Sequence, residues 1–176
     1  MDHQQDMKMK GSITALVTPF RGGQVDFEAM DRLVDRQIAA GTDWLAVCGT
    51  TGEAPTLSED EQEKILTRVL GRANGRCPVM AGTGTYDTTS TVRRTRRAAE
   101  LGAQAALIVT PYYNRPSQSG LFQHFAAVAK VSEIPIVLYN VPSRTGVDLA
   151  NDTVVRLRKE FPKIVALKDA SNSTEH

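Results

Sequence analysis

The stretch AALIVTPYYNRPSQSGLFQHFAAVAKVSEIPIVLYN, residues 105–140, decides the fold. It opens on a short apolar run, turns through proline, asparagine and serine, continues with the helical apolar spacing of LFQHFAAVA, and ends in a second apolar run. Short apolar runs bounded by turn residues read as strands. The helical segment between them supplies the crossover that two parallel strands require.

The same unit recurs along the chain. Further strand-like runs are SITALVTPF from Ser12, WLAVCG from Trp44, PVMAGTG from Pro78 and IVALKD from Ile164. Strands beginning at 13, 44, 78, 105, 135 and 164 are spaced by 31, 34, 27, 30 and 29 residues, the size of a βα unit. Phe27, Met30, Leu33, Val34 and Ile38 form one helical stripe; Leu57, Ile65, Leu66, Val69 and Leu70 form the next, opened by a capping box from Ser58 to Glu61. Gly41, Gly75 and Gly102 follow helical segments, where a left-handed cap is easiest without a Cβ.

An α/β protein with a parallel sheet follows, and near-even spacing favours a (β/α)8 TIM barrel over an open doubly wound sheet. Eight units need roughly 240 residues, so 176 residues reach only strand six. The expectation is a barrel truncated after strand six over residues 11–176, preceded by a frayed segment, 1–10. The last residues, SNSTEH, read as the start of a sixth helix.

Composition narrows the function. Twenty-one basic and 20 acidic side chains leave a formal charge of +1, giving no electrostatic reason for a nucleic-acid or anionic-membrane partner. Cys48 and Cys77 form neither a disulfide framework nor a metal-ligand cluster and read as core residues. No apolar run approaches a membrane span, and MDHQQDMKMK is not signal-like, so a soluble cytoplasmic protein is expected. His3 and His176 lie at the chain ends and His124 lies in a helical segment, so neither a triad nor a metal site is indicated. Neither GxxxxGK[ST] nor GxGxxG follows a strand, which disfavours nucleotide binding.

Reacting groups of such barrels gather at the C-terminal ends of the strands. There the sequence puts GTTGE (Gly49–Glu53), PYYN (Pro111–Asn114), YNVPSRTG (Tyr139–Gly146) and Lys168. An amine with hydroxyls around it suits Schiff-base chemistry: the lysine adds to a carbonyl, and hydroxyl groups carry the protons. A lysine held against an apolar strand loses solvation of its charged form, which lowers its pKa from about 10.4 and frees the amine for attack. Blander readings stand beside this one. Lys168 can mark where a strand reaches water, GTTGE can be a glycine turn, and AGTG (Ala81–Gly84) can merely shape a strand end. Tyr112 and Tyr113 can be rim or subunit-contact residues, and the arginines at 93, 94, 96 and 97 a solvated helix face.

Together, GTTGE, VTPYYNRPSQ (109–118), LYNVPSRTG (138–146) and the lysine of LKDAS resemble the pyruvate-dependent class I aldolases, the family of dihydrodipicolinate synthase and N-acetylneuraminate lyase. The likeness runs from about Gly11 to the end. The double threonine and the arginine of PSRTG are similar to the dihydrodipicolinate synthase branch; the neuraminate lyases usually carry Ser-Thr and lack that arginine. The resemblance implies that Lys168 forms an imine with pyruvate, whose enamine attacks L-aspartate 4-semialdehyde to give 4-hydroxy-tetrahydrodipicolinate on the diaminopimelate route to lysine. It implies a proton relay of Tyr139, Thr50 and Tyr113, with Tyr113 donated by a neighbouring subunit across a tight homodimer. It gives Thr51 the pyruvate carboxylate and Arg144 the carboxylate of the second substrate, with no metal or organic cofactor. Some members bind lysine between subunits; at the matching positions this chain carries Ala54, Glu59, Gln62, Tyr86 and Ser90 beside Tyr112, substitutions that count against lysine feedback.

Overall fold

The computed structural model describes residues 9–171. Most of the expected frayed segment, and the helix start expected within SNSTEH, lie outside the described residues.

Each apolar run forms a strand where the spacing puts one. β1 is Ile13–Ala15, β4 Trp44–Val47, β5 Val79–Gly82, β6 Ala105–Val109, β7 Ile136–Asn140 and β8 Ile164–Asp169. They make one six-stranded sheet in the order β1-β4-β5-β6-β7-β8, and every pairing is parallel. Helices α1 (Phe27–Ala39), α2 (Glu59–Ala73), α3 (Thr88–Leu101), α4 (Gln118–Ala129) and α6 (Asn151–Glu160) return the chain between strands; α5 (Pro142–Thr145) is a single turn. This is the arc of six consecutive strands of a (β/α)8 barrel, as the spacing predicts.

Local chemistry explains the boundaries. Ser58 and Glu61 form the expected capping box at α2, and Asp26, Asp87 and Ser117 accept from backbone N–H groups at the starts of α1, α3 and α4. Gly102 caps α3 at φ 98°. One element escapes the sequence reading: a hairpin of β2 (Phe20–Arg21) and β3 (Gln24–Val25). Its signal is Gly22-Gly23, both at positive φ, as a tight two-residue hairpin turn requires.

Side chains alternate across the sheet. Leu45, Val47, Val79 and Ala81 face α1 and α2, while Ala106, Ile108, Ile136, Leu138 and Ile164 face α4 and α6. Trp44, Ala46, Met80, Ala105, Leu107, Val137 and Tyr139 line the inner face. Of the α3 arginines, Arg93, Arg96 and Arg97 form a solvated face and Arg94 is half-buried; Arg93 and Arg94 pair with Glu59 on α2, and Arg97 with Glu63. Cys48 and Cys77 are buried, as expected of core residues.

Candidate active site

Loops after the strands carry the molecule's backbone strain. Of five described non-glycine residues at positive φ, Asn74 ends a helix, while Cys48, Glu53, Tyr113 and Arg115 follow β4 and β6. Left-handed backbone costs an ordinary residue energy and persists only where surrounding structure enforces it. AGTG does shape the strand end, because close backbone approach excludes larger residues. A Cβ on Gly82 would lie 2.1 Å from the Cys48 carbonyl oxygen, and one on Gly84 would lie 2.5 Å from the Val109 nitrogen.

These loops enclose a cavity of about 360 Å³ at the C-terminal ends of the strands. Thr50, Glu53, Arg94, Tyr112, Tyr139 and Arg144 are among its lining residues. Tyr139 is the last residue but one of a fully buried strand and lies in the inner cluster, so its ring is fixed by packing. The Thr50 hydroxyl donates to the Tyr139 hydroxyl at 3.5 Å. Lys168 joins them from the neighbouring strand: Tyr139 and Lys168 are paired in register, and the lysine Nζ lies 4.4 Å from the centroid of the Tyr139 ring. The electron-rich face of the phenol attracts the ammonium and orients it.

One expectation is corrected. Lys168 is not desolvated against an apolar strand; it is exposed. β8 runs from buried Ile164 to exposed Lys168 and Asp169, and among the described residues it pairs only with β7. With a neighbour on one side alone, the strand gives the amine no enclosing wall.

The other sequence-selected residues divide. Arg144 lines the cavity from α5, exposed. Thr51 is exposed and is not among the lining residues. Tyr113 is 91% exposed, sits at φ 70° and is not among the lining residues. Tyr112 instead turns inward, its ring meeting that of Tyr86 edge to face at 5.4 Å. Burial pushes the Tyr112 phenol up from its ordinary pKa, with Arg94 opposing the shift.

Among the described residues, neither thiol nor imidazole competes for the chemistry. Burial pushes the Cys48 thiol up to about 12, so it stays protonated. His124 lies between helices, its Nδ1 2.9 Å from the Thr88 hydroxyl, and burial lowers its pKa to about 4. No group of three potential metal-ligating side chains occurs among the described residues. Among them, too, no helix is long and apolar enough to cross a membrane.

Sequence reasoning missed Asn140. It is buried at the end of β7, and its amide nitrogen donates to Asp148 at 2.7 Å and Asp169 at 3.1 Å. An asparagine closing an apolar run reads as the strand's exit to water, so sequence carried no signal for this role.

Comparison with known proteins agrees with the fold. The Dihydrodipicolinate synthetase family matches residues 8–176. A 4-hydroxy-tetrahydrodipicolinate synthase of Pelobacter propionicus is 54% identical over 166 residues, covering 94% of this chain and 57% of the relative. The crystal structure of dihydrodipicolinate synthase from Aquifex aeolicus superposes with a TM-score of 0.93 at 47% identity, covering 95% of this chain and 57% of that one. A chloride-inhibited Acinetobacter baumannii dihydrodipicolinate synthase, solved in complex with pyruvate, gives 0.91 at 49% identity over 94% of this chain and 57% of its own. The chain therefore spans a little over half the length of these relatives. With a family match across nearly all of its residues and an arc of barrel strands that superposes on solved members, this chain belongs to the dihydrodipicolinate synthetase family.

Proposed function

We propose that the chain carries the imine-forming machinery of a 4-hydroxy-tetrahydrodipicolinate synthase. The observation that supports this best is the contact of Lys168 with the Tyr139 ring, whose hydroxyl in turn meets Thr50 at the cavity. The Lys168 amine adds to the pyruvate ketone to give a carbinolamine, which expels water as the imine forms. Loss of a methyl proton gives the enamine, whose carbon attacks the aldehyde of L-aspartate 4-semialdehyde. Each step moves a proton, and a phenol with pKa near 10 needs hydrogen-bonded partners to move one at neutral pH. Tyr139 and Thr50 are two such partners; Tyr113, open to solvent here, is the third when a second subunit presents it across a dimer. Thr51 holds the pyruvate carboxylate, and the Arg144 guanidinium takes the carboxylate of the second substrate.

Exposure of Lys168 on an edge strand favours a second reading: the chain folds but turns over only when further chain covers that edge. Borohydride reduction with pyruvate, followed by peptide mass spectrometry, separates the two. A pyruvyl adduct on Lys168 supports the assembled site; an unmodified Lys168 supports the silent chain. Product analysis with L-aspartate semialdehyde against sugar aldehydes tests the second substrate. Imine formation without condensation on the semialdehyde would sink that assignment.

A further inference from the structure

Ile164 and Lys168 are four residues apart, so an uninterrupted strand would present both on one face. Ile164 packs on the helix side, which would aim Lys168 away from Tyr139. The ladder, however, is interrupted. Ile136 pairs with Ile164 but Val137 pairs with Ala166, leaving Val165 as an extra, bulged residue. Beyond it the faces exchange: Ala166 packs on the inner cluster, Leu167 on the helix-side cluster, and Lys168 stands opposite Tyr139.

A bulge leaves a residue unpaired, and a one-residue slip turns every later side chain to the opposite face. Closing this bulge by such a slip would set Leu167 opposite Tyr139 and carry Lys168 to the helix side, opposite Asn140. Among the described residues, β8 has no second neighbour to forbid the slip.

The opposing contacts sit at the strand's end. Buried Asn140 donates to Asp169 Oδ1 at 3.1 Å and to Asp148 Oδ1 at 2.7 Å, and its side-chain oxygen accepts from the Leu149 N–H at 3.1 Å. Its backbone carbonyl accepts from the Ala170 N–H at 2.8 Å. Asp169 is held in turn by the Ser171 hydroxyl and N–H, at 2.6 and 3.1 Å. A slip would turn Asp169 to the other face and break its bond to Asn140, and a buried amide hydrogen left unbonded is costly.

We propose that Asn140 is a positioning residue. By holding Asp169 it locks the register of β8 across the Val165 bulge, and so keeps the Lys168 amine beside Tyr139. The consequence for imine formation rests on the reading of Lys168 proposed above; the register lock itself does not.

The test uses two readouts on the full chain. Reductive ¹³C-methylation followed by NMR reports where Lys168 lies, because its methyl signal, assigned with Lys168→Arg, shifts upfield over the Tyr139 ring. Borohydride-trapped pyruvate adduct reports its reactivity. Asn140→Ala, and Asp169→Ala at an exposed position that folding tolerates, should each abolish the upfield shift and lower adduct formation by roughly 100-fold. Deleting Val165 removes the surplus residue, so a regular ladder then places Lys168 opposite Tyr139 without a lock. Combined with either substitution, the deletion should restore both signals. An upfield shift that survives both substitutions, or a deletion that restores nothing, overturns the proposal. If the unaltered chain gives no adduct, the imine reading falls, while the methyl signal still decides the register lock.

Discussion

β7 and β8 are hydrogen-bonded partners with different surroundings. β7 has a strand on each side and is buried along its whole length, whereas β8 has one neighbour among the described residues and emerges into solvent toward its end. Tyr139, the residue that orients, stands on the first; Lys168, the residue proposed to react, stands on the second. The position of a side chain on an edge strand depends on a few contacts at the strand's end, while a residue inside the sheet is held by packing on both faces and by two ladders. In this molecule the candidate chemistry lies across that boundary.

The largest expected effect tests the exposed side. Lys168→Arg should abolish the borohydride-trapped pyruvate adduct in intact mass spectra, because a guanidinium stays protonated and cannot add to a ketone. An adduct that persists would assign the imine to another lysine and separate the chemistry from β8.

Paired positions sharpen the contrast within the ladder. Leu138 and Leu167 are direct partners, one fully buried and the other partly so. Leu138→Ala should cost about 3–4 kcal/mol in urea unfolding, the range for a leucine lost from a closed core. Equal losses at the two positions would show that β8 is as firmly held as β7.

Acid should act on the buried side. His124 is neutral when folded, its pKa lowered to about 4 from 6.5 chiefly by burial, with Asp87 opposing the shift. The unfolded chain therefore binds the extra proton between those two values. Stability is complete above about pH 6.5 and declines as pH falls toward about 4, by roughly 2–3 kcal/mol from this group. Urea midpoints measured across that window in the chain and in His124→Gln check it; the same slope in both would place the acid sensitivity elsewhere.

The smallest effect belongs to the edge. Leu167→Ala should cost only about 1 kcal/mol, since the site is open and the removed atoms are already partly in water. Urea unfolding beside Leu138→Ala measures the difference directly.

Much of the fold was legible because the evidence for it is local and repeated. Six apolar runs near 30-residue intervals, helical stripes between them, the Ser58 to Glu61 capping box and glycines past helix ends each report one element, and every one of those strands forms. The β2–β3 hairpin went unread because its strands are two residues each, too short for any periodicity. The candidate site was legible as a set of residue types at strand ends, and the structure brings Lys168, Tyr139 and Thr50 into contact. The desolvated lysine was not borne out, because solvation depends on what covers a strand, and an apolar run preceding the residue says nothing about that.

By itself the sequence determined a parallel α/β chain of βα units, the membership motifs, and a lysine near the end of the sixth strand. Those properties follow from spacing and residue type, which act over one turn or one strand. Tertiary structure alone decided which face the lysine presents. Alternation counted from Ile164 sends Lys168 to the helix side, yet the Val165 bulge turns it to Tyr139, and Asn140, distant in sequence, grips the next residue. Register between strands is set by contacts made only once both are assembled, and a single extra residue inverts everything after it.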